Sequence, residues 1–387
     1  MKILTIQAAY FPMIGGAEVF HQRTAEWLAK KGHQIDVLTC IWDKPDLAWK
    51  NWQKEHEVIN EVNIYRVRPW FYTQYFKSLG SIWPLYNRAL QLIKVNEYDL
   101  IHSHIFPASI IGALLKRKTG LPLLTTVQGG DLADYLETGS SFNWLLKPII
   151  KWALEKSDIV HTVSTHMEIA VKKLGIMNTK VIPNGVDIKL FRRRDKRALK
   201  NKYKIDLDKF IIVSHSRLTP KNGLDILIKA IDRLQNQEKV ILLLVGGGEQ
   251  KKELKELVKK LDLESLVKFY GYQDRQTTAE LLALSDVFVR PSRQEGFGIA
   301  FLEAMASGLP VIGTKQGGIK EIIKHGEEGI LAPVDKTDSL ALAIQTLRKK
   351  IKLRILMGQK GREKVIKTYS WVKISNDLEE VYRKVRL

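Results

Sequence analysis

Short apolar runs alternate with longer stretches of helical spacing along this chain. Lys2–Ala8, Gln34–Thr39, Asn63–Arg68, Leu100–His102, Leu123–Thr126, Ile159–Val163 and Lys180–Ile182 read as strands. Helical patterns separate them, for example Ala17–Lys30 and Ser109–Lys118. After Pro183 the pattern breaks, and it resumes with strands at Phe210–Ser214, Val240–Val245, Val267–Tyr270, Val287–Val289 and Val311–Gly313. Trp371–Val385 reads as a charged amphipathic helix that closes the chain. Strands alternating with helices predict parallel sheets covered on both faces. No internal repeat or low-complexity tract interrupts the pattern.

Length and charge divide the pattern. At 387 residues the chain exceeds the usual limit for one core, so two domains are expected. The break falls in a basic stretch, Lys189 to Lys204, whose one acid is Asp195. The expectation is an α/β protein of two doubly wound domains facing a central cleft. The first covers 1–185, a linker region 186–208, the second 209–365, and a terminal helix 366–387. Ligands are expected where the carboxyl ends of the strands face the cleft.

Composition narrows the classes. Apolar residues at 45% and charged residues at 27% are ordinary for a soluble globular protein. The single cysteine, Cys40, allows no intramolecular disulfide, which suits a reducing cytoplasm. Cys40 has no basic neighbour until Lys44, so it does not read as a reactive thiol. No apolar run approaches the roughly 20 residues that span a bilayer. The opening M-K-I-L-T-I-Q has the look of a short leader, but Gln7 interrupts it and a Gly-rich turn follows, as after a first buried strand. The 62 basic residues exceed the 42 acidic ones to give +20, which favours an anionic partner: nucleotide phosphates, an acidic membrane surface or nucleic acid.

Several loops carry candidate chemistry. Gly15 and Gly16 join the first strand to the first helix, where backbone and helix N-terminus admit a phosphate. Tight packing explains such a turn equally well. Ser214-His215-Ser216-Arg217-Leu218-Thr219-Pro220-Lys221-Asn222-Gly223 follows the first strand of the second half. Arg217 and Lys221 there suit a diphosphate and the charge that develops on it as it leaves. Alone, the segment is also an ordinary solvated basic loop. Val245-Gly246-Gly247-Gly248-Glu249 is not a dinucleotide fingerprint, because position 251 is Lys. Asp206-Leu207-Asp208 matches the acid-x-acid triplet of metal-dependent sugar transferases but precedes a strand, as a solvated loop does. His102 and His104 flank a strand end and read as structural, as metal ligands or as substrate contacts. No cluster has convincing metal spacing, and no Ser-His-Asp arrangement stands out.

Arg290 to Val311, R-P-S-R-Q-E-G-F-G-I-A-F-L-E-A-M-A-S-G-L-P-V, is the most informative stretch. Glu295 lies in a loop punctuated by Gly296 and Gly298 around Phe297. Glu303 lies inside the following helix, Ile299 to about Ser307, which Gly308 and Pro310 end. One carboxylate therefore sits beside a helix N-terminus and the other about a turn inside. The free N–H groups make an anion cradle, and the acids accept hydroxyl hydrogen bonds. A sugar nucleotide offers phosphates, a ribose diol and a sugar.

Together these motifs resemble the retaining glycosyltransferases of family 4, with the two-domain GT-B fold. The resemblance runs nearly end to end: G-G-A-E early, V-I-P-N-G-V-D-I-K-L-F at Val181–Phe191, S-R-L-T-P-K-N-G at Ser216–Gly223, V-G-G-G at Val245–Gly248, the glutamate segment, and G-G-I-K-E-I-I at Gly317–Ile323. It implies that Glu303 binds the donor ribose and that Glu295 holds the donor sugar, with Gly296, Phe297 and Gly298 beside it. Arg217 and Lys221 would neutralise the diphosphate, with Gly16 closing on it from the other domain. Gly271 and Tyr272 would lie near the base, Gln128 near the reacting sugar, and Asn184-Gly185 at the hinge. The terminal helix would cross back onto the first domain. Attack would come from the leaving group's own face, with the leaving phosphate taking the acceptor's proton, and no metal or other cofactor would be needed. The chain departs from relatives in two places. Gln128 stands where they often have His, and Gln does not shuttle protons near neutral pH. Lys221 stands one residue before the usual lysine position, which Asn222 occupies.

The resemblance puts the acceptor, a glycan or a lipid-linked molecule, on the first domain. Trp70, Phe71, Tyr72, Tyr75, Phe76, Trp83 and Tyr86 cluster there, and Lys147, Lys151 and Lys156 dot a helix with Trp144 and Trp152. This face reads either as a solvated basic helix over an aromatic core or as a rest for anionic lipid headgroups. The expected place is cytoplasmic, peripheral at the inner membrane face in the second case, and nucleic acid is not an expected partner. A nucleotide-sugar epimerase of the same fold and a non-catalytic basic binding protein are the competing classes. The first needs no acceptor face, and the second needs no placement of Arg217 and Glu303.

Overall fold

A computed structural model describes residues 1–11, 16–41, 54–70, 79–128 and 143–386, with 143–145 as backbone alone. The chain divides into two compact units, Met1–Asn184 with Trp371–Leu387, and Gly185–Ser370.

The first unit is built on eight strands: β1 Lys2–Ile6, β2 Gln34–Cys40, β3 His56–Ile59, β4 Val62–Val67, β5 Leu100–His104, β6 Leu123–Val127, β7 Ile159–Thr162 and β8 Thr179–Val181. Their order is β3-β4-β2-β1-β5-β6-β7-β8. All pairings are parallel except the β3–β4 hairpin. That hairpin turns on Asn60 and Glu61, both at positive φ (50° and 67°), which matches the right-handed twist of the strands. Central strands are buried along their length, as β5 and β6 are. Helices on both faces explain why these strands read as continuous apolar runs. The helix Gly16–Lys30 packs beside the terminal helix Trp371–Arg386. Phe20, Leu28, Ile374, Leu378 and Tyr382 share one core between them. Lys31 Nζ and Glu379 close that contact at 2.6 Å.

The second unit has six strands: β9 Phe210–His215, β10 Val240–Val245, β11 Val267–Gly271, β12 Val287–Val289, β13 Val311–Thr314 and β14 Gly329–Ala332. They run in the order β11-β10-β9-β12-β13-β14, with every pairing parallel. Chain order reverses between β9 and β12, and a ligand crevice is expected beyond the carboxyl ends of strands at such a point. Residues 186–208 are folded into this unit. Phe191 is fully buried, and the helix Lys196–Lys202 packs on the helix Arg275–Leu284. Several of their basic side chains have definite partners. Lys202 Nζ and Tyr203 Oη both donate to Glu280, at 2.5 and 2.8 Å. The Lys202 bond is the main reason that carboxyl falls to about 2. Among the described residues no helix is long and apolar enough to cross a membrane.

Candidate active site

The carboxyl edge of the second sheet collects most of the residues singled out above. After β9 the chain turns outward and is fastened to the loop after β10: Ser216 N–H donates to Val245 O at 3.0 Å and Leu218 N–H to Gly247 O at 2.9 Å. A single helical turn, Pro220–Asn222, follows. Asn222 is buried, and its amide donates to the Arg217 carbonyl at 2.6 Å. The residue before Gly223 therefore closes the turn. Arg217 and Lys221 line an open cavity of about 590 Å³ with Glu249, Arg293 and Gln294. Neither cation is paired with an acid among the described residues.

The loop after β12 forms the adjoining wall. Arg293 donates both guanidinium nitrogens to Asp225 at 2.9 Å. It also reaches Asp335 at 2.7 Å and the Pro220 carbonyl at 2.6 Å. Its own N–H donates to Lys221 O at 2.7 Å. One side chain thus joins the cationic turn to the glutamate loop. Arg290, itself buried, pairs with Glu295 and lies 4.9 Å over the Phe301 ring. Gly317 has φ of 50°, and a Cβ there would stand 1.6 Å from the Glu295 carbonyl oxygen; only glycine lets the two loops meet. Phe297 is buried, its ring edge-on to Tyr369 at 6.0 Å. Gly296 and Gly298 therefore offer backbone while Phe297 anchors the loop. Gly298 is the N-cap of the helix Ile299–Ala306.

Glu303 lies one turn into that helix and is buried, with 6% of its side chain exposed. His215 Nδ1 stands 3.3 Å from one carboxylate oxygen, too misaligned for a hydrogen bond. Arg275 stands 3.8 Å from the other oxygen, its guanidinium 5.3 Å over the Phe191 ring. The carboxylate keeps lone pairs available to hydroxyl donors, with positive charge beside it. The Gly271 carbonyl accepts from Gly246 N–H at 2.7 Å. Tyr272 lies over Gly247, a ring carbon 2.5 Å from where a Cβ would be, and is 68% exposed.

The edge thus brings together Arg217, Lys221, Gly271, Tyr272, Glu295, Gly296, Phe297, Gly298 and Glu303. Gly16 and Gln128 belong to the first unit. Gly16 opens its helix and is exposed; the loop before it, 12–15, lies outside the described residues. Gln128 follows β6, is buried, and its Nε2 has no partner among the described residues. Sequence reasoning passed over His215, Arg275, Arg290 and Arg293. Arg290 and Arg293 lay in the quoted segment, within five residues of Glu295, and a cation so close to a loop carboxylate was a usable signal. Arg275 gave none, since only the fold brings it to Glu303. Asp206-Leu207-Asp208 lies at the amino end of β9, on the opposite edge of the sheet.

In the first unit, His102 and His104 belong to a buried histidine cluster. The His104 ring is 3.9 Å from both His21 and His102. His161 Nε2 meets the Ile182 carbonyl at 2.8 Å, so it must donate and its Nδ1 must accept. Thr126 Oγ1 supplies that proton at 2.8 Å, accepts from His102 Nε2 at 2.6 Å, and leaves His102 Nδ1 to accept from Tyr382 Oη at 2.7 Å. Both rings are neutral in this chain. Burial lowers His161 to about 4 and His21 to about 3. Burial and neighbouring rings lower His102 and His104 well below the ordinary histidine value. Among the described residues no group of three or more His, Cys, Asp or Glu could hold a metal. Of the aromatic face, Trp70 and Trp83 are exposed. Phe71, Tyr72, Tyr75, Phe76 and the Trp144 side chain lie outside the described residues.

Two Rossmann-like parallel-sheet units, one with clustered cations and carboxylates at its switch point, make up an architecture that known glycosyltransferases share. The family description "Glycosyl transferases group 1" matches residues 195–364, and "Glycosyltransferase Family 4" matches residues 14–190. The N-acetyl-alpha-D-glucosaminyl L-malate synthase of Bacillus anthracis is 30% identical over 98% of this chain and 96% of that protein. An uncharacterized glycosyltransferase of Methanocaldococcus jannaschii is 29% identical over 99% and 98%. Among solved structures, Anabaena HepE in complex with UDP-glucose superposes with a TM-score of 0.82 at 26% identity, over 99% of this chain and 100% of that one. Sucrose-phosphate synthase from Thermosynechococcus elongatus shares the fold, with a TM-score of 0.87 at 23% identity over 99% and 98%. The chain belongs to glycosyltransferase family 4 and has the GT-B fold.

Proposed function

We propose that this chain moves a hexosyl group from a nucleotide-diphosphate sugar to a glycan or lipid-linked acceptor, with retention at the anomeric carbon and without a metal. The observation that carries the reading is the pairing, on one sheet edge, of two unpaired cations with a buried carboxylate whose lone pairs are available. Arg217 and Lys221 take the diphosphate. Glu303 takes the ribose hydroxyls, and Gly271 with Tyr272 borders the base. Glu295, aimed by Arg290, holds the sugar beside the Gly296–Gly298 backbone.

In this reading the acceptor oxygen attacks the anomeric carbon from the leaving group's side. The bond to the diphosphate breaks, the new glycosidic bond forms, and the acceptor's hydroxyl proton passes to a phosphate oxygen. The protein contributes position and charge stabilisation rather than a general base. A neighbour solved with UDP-glucose supports a sugar-nucleotide donor, and a relative named as an N-acetyl-alpha-D-glucosaminyl L-malate synthase supports a hexose-derived group. The test is nucleotide release from UDP-, GDP- and ADP-sugars with and without acceptor extracts, with the product's anomeric configuration read by NMR. We expect one donor to dominate, configuration to be kept, and a chelator to leave the rate unchanged. Inverted product or loss of activity with chelator contradicts the mechanism.

A further inference from the structure

The helix Ile351–Thr368 has an outer face that the six-stranded sheet does not use. Its buried residues, Met357, Gly358, Gly361 and Val365, face inward. Gly358 sits so close to the loop after Ile299–Ala306 that a Cβ would be 2.2 Å from the Gly308 oxygen. On the outside, Ile351, Ile355 and Ile366 are 57%, 51% and 42% exposed. With Arg362 they are spaced at four, seven and four residues. At 3.6 residues per turn these positions fall within about 60° of one another and run about 22 Å along the helix.

Arginines gather at the same place. Arg362 donates to the carbonyls of Ala306 and Phe191. Arg193 lies on Gly308, its Nε 2.5 Å from where a Cβ would stand. Arg192 and Arg193 are exposed and pair with no acid among the described residues. Of the acids near this helix, Glu328 is held by Lys364 at 3.0 Å and Glu327 by Lys324 at 2.5 Å, while Glu363, exposed beside Arg362 in the sequence, makes no ion pair with these arginines. Burial, then Arg193 and Arg192, lower Arg362 from its ordinary value. Capping the carbonyl end of Ile299–Ala306 accounts for Arg362. It does not account for two further arginines beside it that pair with no acid among the described residues, or for three exposed isoleucines on the same side of the helix as Arg362. Like charges that crowd without forming an ion pair are relieved by an anionic surface. Apolar side chains interleaved with them suit a bilayer interface, where acyl chains and headgroups meet. Nucleic acid would use the cations and leave the isoleucines in water.

We propose that the face formed by Ile351, Ile355, Ile366, Arg192, Arg193 and Arg362 docks the second unit on an anionic lipid bilayer. The probe is co-flotation of the full chain with vesicles of phosphatidylcholine alone and of phosphatidylcholine with phosphatidylglycerol. The expected result is recovery with anionic vesicles only, reduced by salt. Arg192→Ala with Arg193→Ala should weaken partitioning roughly thirtyfold, from the usual contribution of two surface cations. Ile355→Asn with Ile366→Asn should lower it at unchanged charge. Nucleotide binding by both variants checks that the fold is intact. Equal recovery with neutral vesicles overturns the proposal, as does full recovery of both variants. Loss of flotation to inorganic phosphate at constant ionic strength would assign the arginines to free phosphate instead. A dimer in solution that Ile355→Asn with Ile366→Asn dissolves would assign the face to a second copy, and also overturns it.

Discussion

Arg293 makes two distant segments behave as one wall. Its planar fork meets Asp225 with two bonds, and its remaining donors hold Asp335 and the Pro220 carbonyl. A lysine cannot reproduce that geometry. Arg293→Lys is therefore expected to raise the donor KM roughly tenfold while costing only about 1 kcal/mol of stability, because the pair is partly exposed. Steady-state kinetics beside thermal melting check this, and an unchanged KM contradicts it. Gly317 acts through shape. A Cβ there collides with the Glu295 carbonyl, so Gly317→Ala must displace the loop that carries the carboxylate. A displacement near 1 Å costs about a hundredfold in rate; normal kcat/KM for this variant would show that the loop contact is dispensable. The glutamates themselves were legible as a pair from their spacing. Their different neighbours were not, because Arg275 and His215 reach Glu303 only through the folding of the sheet.

Among the elements, the terminal helix Trp371–Arg386 is fastened to the first sheet by a directed chain, Tyr382 to His102 to Thr126 to His161 to Ile182. The chain requires neutral imidazoles. The histidines' folded values lie below the unfolded value of about 6.5, His161 at about 4 and His21 at about 3. The unfolded state therefore binds more protons, and stability rises with pH in this window. The contribution is full above about pH 6.5 and is lost as pH falls toward the folded values, at about 1.4 kcal/mol per pH unit for each proton taken up. Hydrogen exchange at pH 7 and pH 5 should show the helix and β5–β7 losing protection at the lower pH; equal protection contradicts this. Most strands were readable because burial on both faces of a parallel sheet leaves unbroken apolar runs. β3 and β14 were not. β3 is a half-exposed edge strand of mixed polarity, and β14 is four residues of Gly-Ile-Leu-Ala. Neither has the pattern that a covered strand needs.

Over the whole molecule, the basic excess was plain in the sequence, but its distribution was not. The Lys189–Lys204 stretch, expected as part of a linker, spends many of its charges on buried acids and carbonyls within the second unit. Lys200 Nζ, for example, donates to the Leu207 and Lys209 carbonyls at 2.6 and 2.9 Å. Charge density alone cannot distinguish a solvated linker from a segment whose cations are internal ties. The terminal helix places Ile374, Leu378, Val381 and Tyr382 in the core of the first unit. Deleting residues 371–387 is thus expected to expose that core and leave the first unit unable to fold stably. Dye binding and loss of its cooperative melt would report this, and an unaltered melt would contradict it. The central claim is that the edge carrying Arg217 and Glu295 binds and activates a sugar nucleotide. It is tested most directly by acceptor-dependent nucleotide release from Arg217→Ala and Glu295→Ala beside the parent chain. Each variant is expected to lose at least about a hundredfold in kcat/KM with the fold intact by melting. Full activity in both would contradict it.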